Sequence, residues 1–306
     1  MTGTTTLPIG SEVTEGFVEI DGEGFYLIPD VDRMAPFLMS IVSDSDHWMF
    51  VSSRGALTAG RGSAASALFP YETDDRLHHA AGVTGPVTAI RRMVADGTEL
   101  WRPFRDAARS EVRRNLYKSV VGNQVLFEEA NATVGLTFRF RWSSGEPFGF
   151  VRTASITNTG VHPVRLELID GLLNLMPYGL TPVLYSQMSN LTNAYKRSEM
   201  TDVGRLAVYT LESRVVDRPE PAESLRASVV WSTGLDGTVT LSPDAVAEFE
   251  AGDMPEPVGL VTGRPGAYLL SGHLEIPPGE TMSWCIVADV GRDQASVTAL
   301  QRYLRS

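Results

Sequence analysis

The chain has 306 residues, 43% of them hydrophobic, and a formal net charge of −11 with a pI near 5.0. This length is enough to bury one large core or two modest ones. The acidic balance argues against nucleic acid and anionic membranes as partners, because proteins bind both through basic patches. The acidic charge does not argue against neutral partners such as sugars.

The only cysteine, Cys285, allows neither an internal disulfide nor a cysteine metal cluster. The N-terminal stretch MTGTTTLPIGSEVTEG has no basic residue and no apolar run of the kind that signal peptides contain. No stretch approaches the roughly 18 apolar residues of a membrane span. We therefore expect a cytoplasmic location and no contact with a membrane.

Alternation of apolar and polar residues with a period of two dominates the chain and predicts antiparallel strands joined by tight turns. In chain order, the predicted strands and hairpins are 17–30 around Asp21–Gly24, 47–53, 87–104 around Asp96–Gly97, 117–142, 148–172 around Asn158–Gly160, 225–242 around a Gly–Leu–Asp–Gly turn, and 266–291.

Helical signals are few. A short helix is predicted with Ser242 as N-cap, Pro243 at the first helical position and Gly252 at its end. A longer one is predicted at the C-terminus, where Asp293 can cap the segment DQASVTALQRYLRS.

The predicted C-terminal helix places Val297, Leu300 and Leu304 on one face. We expect that face to need a partner outside this chain.

These elements predict an all-β protein of roughly 15 to 18 strands. No composition shift marks a domain boundary. The interpretation is one large antiparallel β-supersandwich over residues 1–291, followed by the start of a helical linker at 292–306.

The stretch LFPYETDDRLHH, residues 68–79, concentrates polar chemistry. Adjacent histidines on a strand point to opposite faces and cannot share a metal ion. A helix would offer Asp74 with His78 and Asp75 with His79 at i,i+4 spacing, but a third ligand is lacking. An irregular loop whose aspartates cap amides is the bland interpretation. A sugar-contacting wall is the functional one, because carboxylates and guanidinium groups bind paired hydroxyls and aromatic faces stack on C–H faces.

Other catalytic patterns are weak. Gly60-x-Gly62 lacks the Gly–Lys–Ser/Thr that a phosphate-binding loop needs, and no GxSxG motif is present. His273 and Glu275 would share one strand face, where a surface hydrogen bond is the simpler interpretation than an acid/base pair. We predict no metal and no cofactor.

Three segments resemble the N-terminal β-supersandwich domain of cellobiose-phosphorylase-like enzymes, which is itself a galactose-mutarotase-like sandwich. They are WMFVSSRGALTAGRGSAASALFPYETDD, the FGFVRTASITNTGVHPVRLELIDGL strands with Arg152, Thr153, Ile156 and Asn158, and LEIPPGETMSWCIVADVG with its Pro278–Glu280 turn.

In that family the catalytic acid lies in a downstream (α/α)₆ barrel, so no catalytic residue carries over to this chain. The resemblance implies a non-catalytic domain of a glycoside phosphorylase or hydrolase that shapes a sugar site and contributes to a possible homodimer. The implied rim of the sugar site comprises Arg54, Arg61, Tyr71, Asp74, Asp75 and Arg76.

Two alternatives remain. A free-standing mutarotase or epimerase would need two histidines and a carboxylate converging on one sugar, for which His78, His79, His273 and Glu275 are the candidates. A non-enzymatic carbohydrate-binding module would need only the rim.

Overall fold

The computed structural model describes residues 16–106, 111–213 and 225–306. Strands make up 51% and helices 15%, which confirms the predicted all-β class with large antiparallel sheets and a C-terminal helix. Twenty strands occur among the described residues, slightly more than the sequence predicted. Residues 1–15 of the predicted sandwich lie outside the described part.

Eleven strands form one large antiparallel sheet. In sheet order they are β1 (Gly16–Ile20), β2 (Glu23–Ile28), β9 (Val112–Ser119), β10 (Val125–Asn131), β11 (Leu136–Gly145), β12 (Gly149–Asn158), β20 (Thr281–Asp293), β16 (Arg226–Thr233), β15 (Leu206–Leu211), β14 (Lys196–Met200) and β18 (Leu260–Thr262). The predicted first hairpin is confirmed, with Asp21 and Gly22 at positive φ in its two-residue turn.

Two smaller antiparallel sheets complete the β-structure. One has the order β17 (Thr238–Thr240), β19 (Gly266–Ile276), β13 (Val164–Leu175), β7 (Gly85–Val94) and β8 (Gly97–Trp101). The other consists of β3 (Leu38–Ile41), β4 (His47–Ser52), β5 (Leu57–Arg61) and β6 (Ala67–Phe69). Short 3₁₀ turns lie at Val31–Arg33 and Ala64–Ser66.

The main core lies between the inner faces of the three sheets. On β11, Leu136, Phe138 and Phe140 point into this core as the alternation predicts. Arg139, on the opposite face of β11, pairs with Glu128 of β10. Burying apolar side chains of both small sheets against the large one holds the layers together.

Five helices occur in the described residues: α1 (Asp74–His79), α2 (Pro182–Gln187), α3 (Ser189–Ala194), α4 (Ala245–Ala251) and α5 (Gln294–Arg305). None of these helices is long and apolar enough to cross a membrane. The predicted end of α4 at Gly252 is confirmed, but its N-cap is Asp244 rather than Ser242.

The C-terminal helix α5 packs on its own sheet. Asp293 caps it as predicted, its Oδ1 accepting from the Ser296 amide at 2.8 Å. Val297, Leu300 and Leu304 pack against a cluster on β15, β16 and β20, so the apolar face finds cover within this chain rather than needing an outside partner.

Residues 225–242 do not form the strand pair that the sequence predicted. β16 joins β15 and β20 in the large sheet, whereas β17 pairs with β19 in the five-stranded sheet. The Gly–Leu–Asp–Gly segment therefore crosses from one layer of the sandwich to the other. A turn signal sets where the chain reverses, but not which sheet receives the next strand.

Four buried polar side chains link the two largest sheets; we call them the Asp170 cluster. Asp170 of β13 accepts from both Arg152 terminal nitrogens, at 2.6 and 2.9 Å, and from the hydroxyl of Thr88 on β7 at 2.7 Å. Trp284 of β20 donates its indole N–H to the same carboxylate at 2.7 Å. Arg152 and Asp170 are fully buried, so the pair forms a bidentate salt bridge inside the core.

We expect Asp170→Leu to lower the free energy of unfolding by about 3 to 5 kcal/mol, because it leaves Arg152 charged and unpaired in the core. The double variant Arg152→Met/Asp170→Leu should be more stable than Asp170→Leu alone, since no stranded charge remains. Denaturant titration measures both.

Arg264→Ala serves as the control, because it breaks the exposed Asp244–Arg264 pair without changing the N-cap of α4 and should change the denaturation midpoint little. A double variant as unstable as the single one would contradict the assigned role of the Asp170 cluster.

Candidate functional site

A cavity of about 530 Å³ opens where loops from all three sheets meet. We call it the Arg54 cavity. Its wall includes the β4–β5 turn at Ser53–Gly55, the segment Val31–Met34, the turn after α1 at Ala81–Gly82, and the loop Pro103–Asp106. Thr88 of β7, Arg114 of β9 and Phe140 of β11 reach it from the sheets. The volume lies in the range of small-molecule sites.

Glu129 of β10 holds the loop that forms one wall. This carboxylate is 1% exposed and accepts from the Trp101 indole at 2.7 Å, the Phe104 amide at 2.6 Å and Arg114 Nε at 2.6 Å. Phe104 has φ of 63°, a left-handed conformation that bulky residues rarely adopt. The charge-assisted bond from its amide to Glu129 stabilises that conformation.

An aromatic floor lies beneath the cavity. Phe140 stacks on Phe127 with ring centroids 4.7 Å apart, and Phe104 meets Phe140 edge-on at 5.3 Å. The Arg152 guanidinium lies 5.0 Å from the Phe140 centroid on the core side. Thr88, which lines the cavity, also belongs to the Asp170 cluster, so the buried salt bridge supports the floor.

The charged side chains at the cavity fall into two groups. Arg105 pairs with Glu250 of α4 at 2.5 Å, and Asp106 pairs with Arg102 at 2.7 Å. Asp32 and Arg54 are exposed at the mouth, and within the described part of the chain their side chains form no ion pair or hydrogen bond. The Asp32 carboxylate and the Arg54 guanidinium are therefore available to a ligand.

Of the residues that the sequence predicted for a sugar rim, Arg54 lies at this cavity. Arg54 lies in the turn between β4 and β5. Arg61 lies at the other end of the same hairpin, opposite His47 in the strand register. The four residue steps of β5 from Leu57 to Arg61 alone span about 13 Å, and Arg54 lies beyond Leu57 in the turn. The two arginines therefore do not share one binding point.

Arg61 is already engaged in ion pairs. Its Nε lies 2.8 Å from Asp289 and its Nη1 lies 3.3 Å from Asp46, while Nη2 donates to the Glu146 carbonyl at 2.9 Å. Burial and the nearby Arg61 charge lower the pKa of the adjacent His47. These contacts suit Arg61 to holding the segments at this end of the sheet in place.

The remaining predicted rim residues lie on or beside α1. Residues 74–79 form a helix rather than the irregular loop of the bland interpretation, because Leu77 is buried and His78 Nδ1 bonds Ser52 Oγ at 2.7 Å. Asp74 is the first residue of this helix. Asp75 and Arg76 are exposed, and a hydrogen bond from the Thr73 hydroxyl holds the pKa of Asp75 below its usual value.

Tyr71 precedes α1 and is half exposed. Its ring meets Trp48 of β4 edge-on with centroids 5.8 Å apart. Tyr71 therefore belongs to a surface aromatic pair separate from the floor of the Arg54 cavity.

The histidines do not gather at the Arg54 cavity. All five are described, and none is among its lining residues. His273 lies on β19 with Nδ1 3.8 Å from Glu167, and Glu275 faces Arg165. Within the described residues, no group of three His, Cys, Asp or Glu side chains could hold a metal ion.

Sequence reasoning missed Asp32, Phe104, Arg105, Asp106 and Arg114. The available signal was the run RPFRD at 102–106, which we assigned partly to a strand ending at residue 104. The strand β8 ends at Trp101, since Pro103 has no N–H to continue the ladder. Clustered arginine and aspartate residues after a strand end are the pattern that predicts a polar loop here.

We expect Phe104→Gly to be more stable than Phe104→Ala by about 1 kcal/mol, because glycine adopts positive φ without strain and both changes remove the ring. Thermal or urea unfolding of the two variants gives the difference. The usual order, with alanine more stable, would contradict the left-handed conformation of Phe104.

No protein-family model matches the sequence, and no curated protein matches it. Solved structures do match. A polysaccharide lyase is 14% identical, with 88% of this chain and 34% of the lyase covered at a TM-score of 0.46. A putative aldose 1-epimerase from Escherichia coli K12 is 11% identical, with 84% and 99% covered at a TM-score of 0.42.

A bacterial glucoamylase solved with acarbose is 8% identical, with 92% of this chain and 38% of the glucoamylase covered at a TM-score of 0.43. This chain thus spans about a third of the lyase and somewhat more of the glucoamylase, but nearly all of the epimerase. The solved structures to which the chain is similar include carbohydrate-active enzymes and a mutarotase-like protein.

Proposed function

We propose that this chain is a carbohydrate-binding, non-catalytic N-terminal domain of a glycoside phosphorylase or hydrolase. In this role it shapes the sugar site beside a helical (α/α)₆ catalytic domain and contributes to dimer contacts. The observation that carries the proposal is the Arg54 cavity, where unengaged Asp32 and Arg54 stand above an aromatic floor.

The chemistry of the cavity suits a sugar. A carboxylate accepts from two hydroxyls and a guanidinium donates to two, so Asp32 and Arg54 can each bind a pair of sugar hydroxyls. The Phe104 ring, which is partly exposed at the cavity, offers apolar surface to C–H groups. These features support an uncharged, hydroxyl-rich ligand.

The same cavity lacks the groups that a mutarotase needs. Anomer interconversion requires an acid and a base at the reacting oxygens. No histidine lines the cavity, and the Asp106 carboxylate is held by Arg102 at 2.7 Å and by the Arg102 amide at 2.9 Å. Among the described lining residues, Asp32 is thus the single unengaged carboxylate, which favours binding over catalysis.

Calorimetric titration with cello- and malto-oligosaccharides tests the proposal. We expect Arg54→Ala to weaken binding about tenfold, because it removes charge-assisted hydrogen bonds to the sugar. Arg76→Ala is the matched control. Arg76 is likewise exposed and makes no ion pair in the described structure, but it lies on α1 outside the cavity.

The absence of heat with every glycan would contradict carbohydrate binding. Equal weakening in Arg54→Ala and Arg76→Ala would instead favour the wider rim predicted from the sequence.

The link to a catalytic domain has a separate test. We expect the intact mass of the natural gene product to exceed the 33.3 kDa of this chain, with helical sequence after Ser306. Mass spectrometry of the protein from its native source measures it. A mass of 33.3 kDa would refute the attached catalytic domain and leave a sandwich that binds sugar alone.

A further inference from the structure

A second cavity, of about 360 Å³, lies on the other side of the turn that follows α1. We call it the Lys196 cavity. Its lining combines residues from β13, α2, α3 and β14 with two prolines. The residues that line it are Gly82, Val83, Leu173, Asn174, Tyr185, Ser189, Asn193, Lys196, Pro243, Pro265 and Gly266.

Lys196 is the charged residue of this lining. It is 2% exposed, and its Nζ has no hydrogen-bond partner among the described residues. The Tyr185 ring lies 5.6 Å from Nζ, close enough for a cation–π contact but with no acceptor for its protons. An ammonium group buried in this way is costly unless an anion joins it.

The acidic residues nearest to Lys196 in the sequence do not pair with its ammonium group. Arg197 and Glu199 alternate with Lys196 on β14 and point to the opposite face, where Arg197 pairs with Glu199 at 2.9 Å. Glu212 lies 3.9 Å from Arg197 and is half exposed. Burial without a described counter-charge lowers the pKa of Lys196 to about 8, so the amine still carries a proton at neutral pH.

The rest of the lining is apolar or able to donate hydrogen bonds. Leu173, Val83 and the two prolines form apolar walls, while Tyr185, Ser189 and Asn193 carry hydroxyl and amide groups. Asn174 lies at a β-bulge of β13 with φ of 58°, and its amide donates to Thr84 Oγ1 at 2.9 Å. No Asp or Glu is among the described lining residues.

We propose that the Lys196 cavity binds a small monocarboxylate with an apolar body, whose carboxylate pairs with the Lys196 ammonium group. A single cation matches a single negative charge, whereas a phosphate dianion would need further cationic groups. The apolar walls take up the body of the ligand. Pairing inside the cavity removes the cost of the unpaired ammonium, which gives the carboxylate an advantage over a neutral analogue.

This site is separate from the proposed sugar site. Gly82 lines both cavities, but Asp32 and Arg54 belong only to the first. Failure of either proposal therefore leaves the other standing.

Calorimetry with benzoate, 3-phenylpropionate and hexanoate tests the inference on the full chain at pH 7. Benzamide and hexanamide, which match two of these ligands in shape but lack the charge, are the ligand controls. We expect each amide to bind about tenfold more weakly than its acid. Binding of the acids should also weaken at about pH 9.5, where Lys196 loses its proton.

Two variants localise the effect. The chain contains only two lysines, Lys118 and Lys196. Lys196→Met keeps most of the length of the side chain but removes its charge, and should lose carboxylate binding. Lys118→Met should retain it, since Lys118 bonds the Ser40 and Gly122 carbonyls elsewhere.

Lys196→Met is expected to fold, because it removes a buried unpaired amine, and a melting curve checks this. Equal affinity for acid and amide in the unaltered chain would overturn the proposal. So would unchanged binding in Lys196→Met, or no heat with any of the three acids at about 20 mM.

Discussion

The salt bridge between Arg152 and Asp170 is the interaction on which the rest of the structure depends. Two buried charges are stable in a core only when each satisfies the other with good geometry. Here they belong to different sheets, and Thr88 and Trp284 complete the coordination of the carboxylate from two further strands. The cluster therefore sets how β12 and β20 lie over β7 and β13. Apolar packing alone, which has no direction, would leave that alignment less defined.

The Arg54 cavity follows from this alignment and from a second buried carboxylate. Thr88 and Phe140 connect the Asp170 cluster to the cavity floor, and Glu129 holds the loop 101–106 through hydrogen bonds from the Trp101 indole and the Phe104 amide. The strained backbone of Phe104 is a consequence, since the amide must turn toward Glu129. The polar groups left over at the mouth are then free to bind a ligand rather than to stabilise the fold.

The stretch 68–79 contributes mainly by fixing where α1 and the turn that follows it lie. Leu77 and His78 fix α1 to the core and to Ser52, and the turn that follows α1 forms a wall of both cavities. Gly82, with φ of 77°, allows that turn. One cavity presents an unengaged carboxylate and an unengaged guanidinium group beside aromatic rings, and the other presents a buried amine among apolar walls. These different environments are the reason why we propose a sugar for the first cavity and a small carboxylate for the second.

The sequence by itself determined the all-β class, the first hairpin and the cap of α5, because period-two alternation, an Asp–Gly turn and an N-cap act over a few residues. The resemblance placed Arg54 on the predicted sugar rim, and Arg54 lines the larger of the two described cavities, although its role stays a prediction. Tertiary structure decided that 225–242 crosses between sheets, that α5 covers its own sheet, and that Arg61 lies far from Arg54. It also brought together Asp32, Phe104 and Arg114, and it buried Lys196 without a described partner. Such outcomes depend on which distant strands pair and which faces meet, and local residue patterns carry no record of those choices.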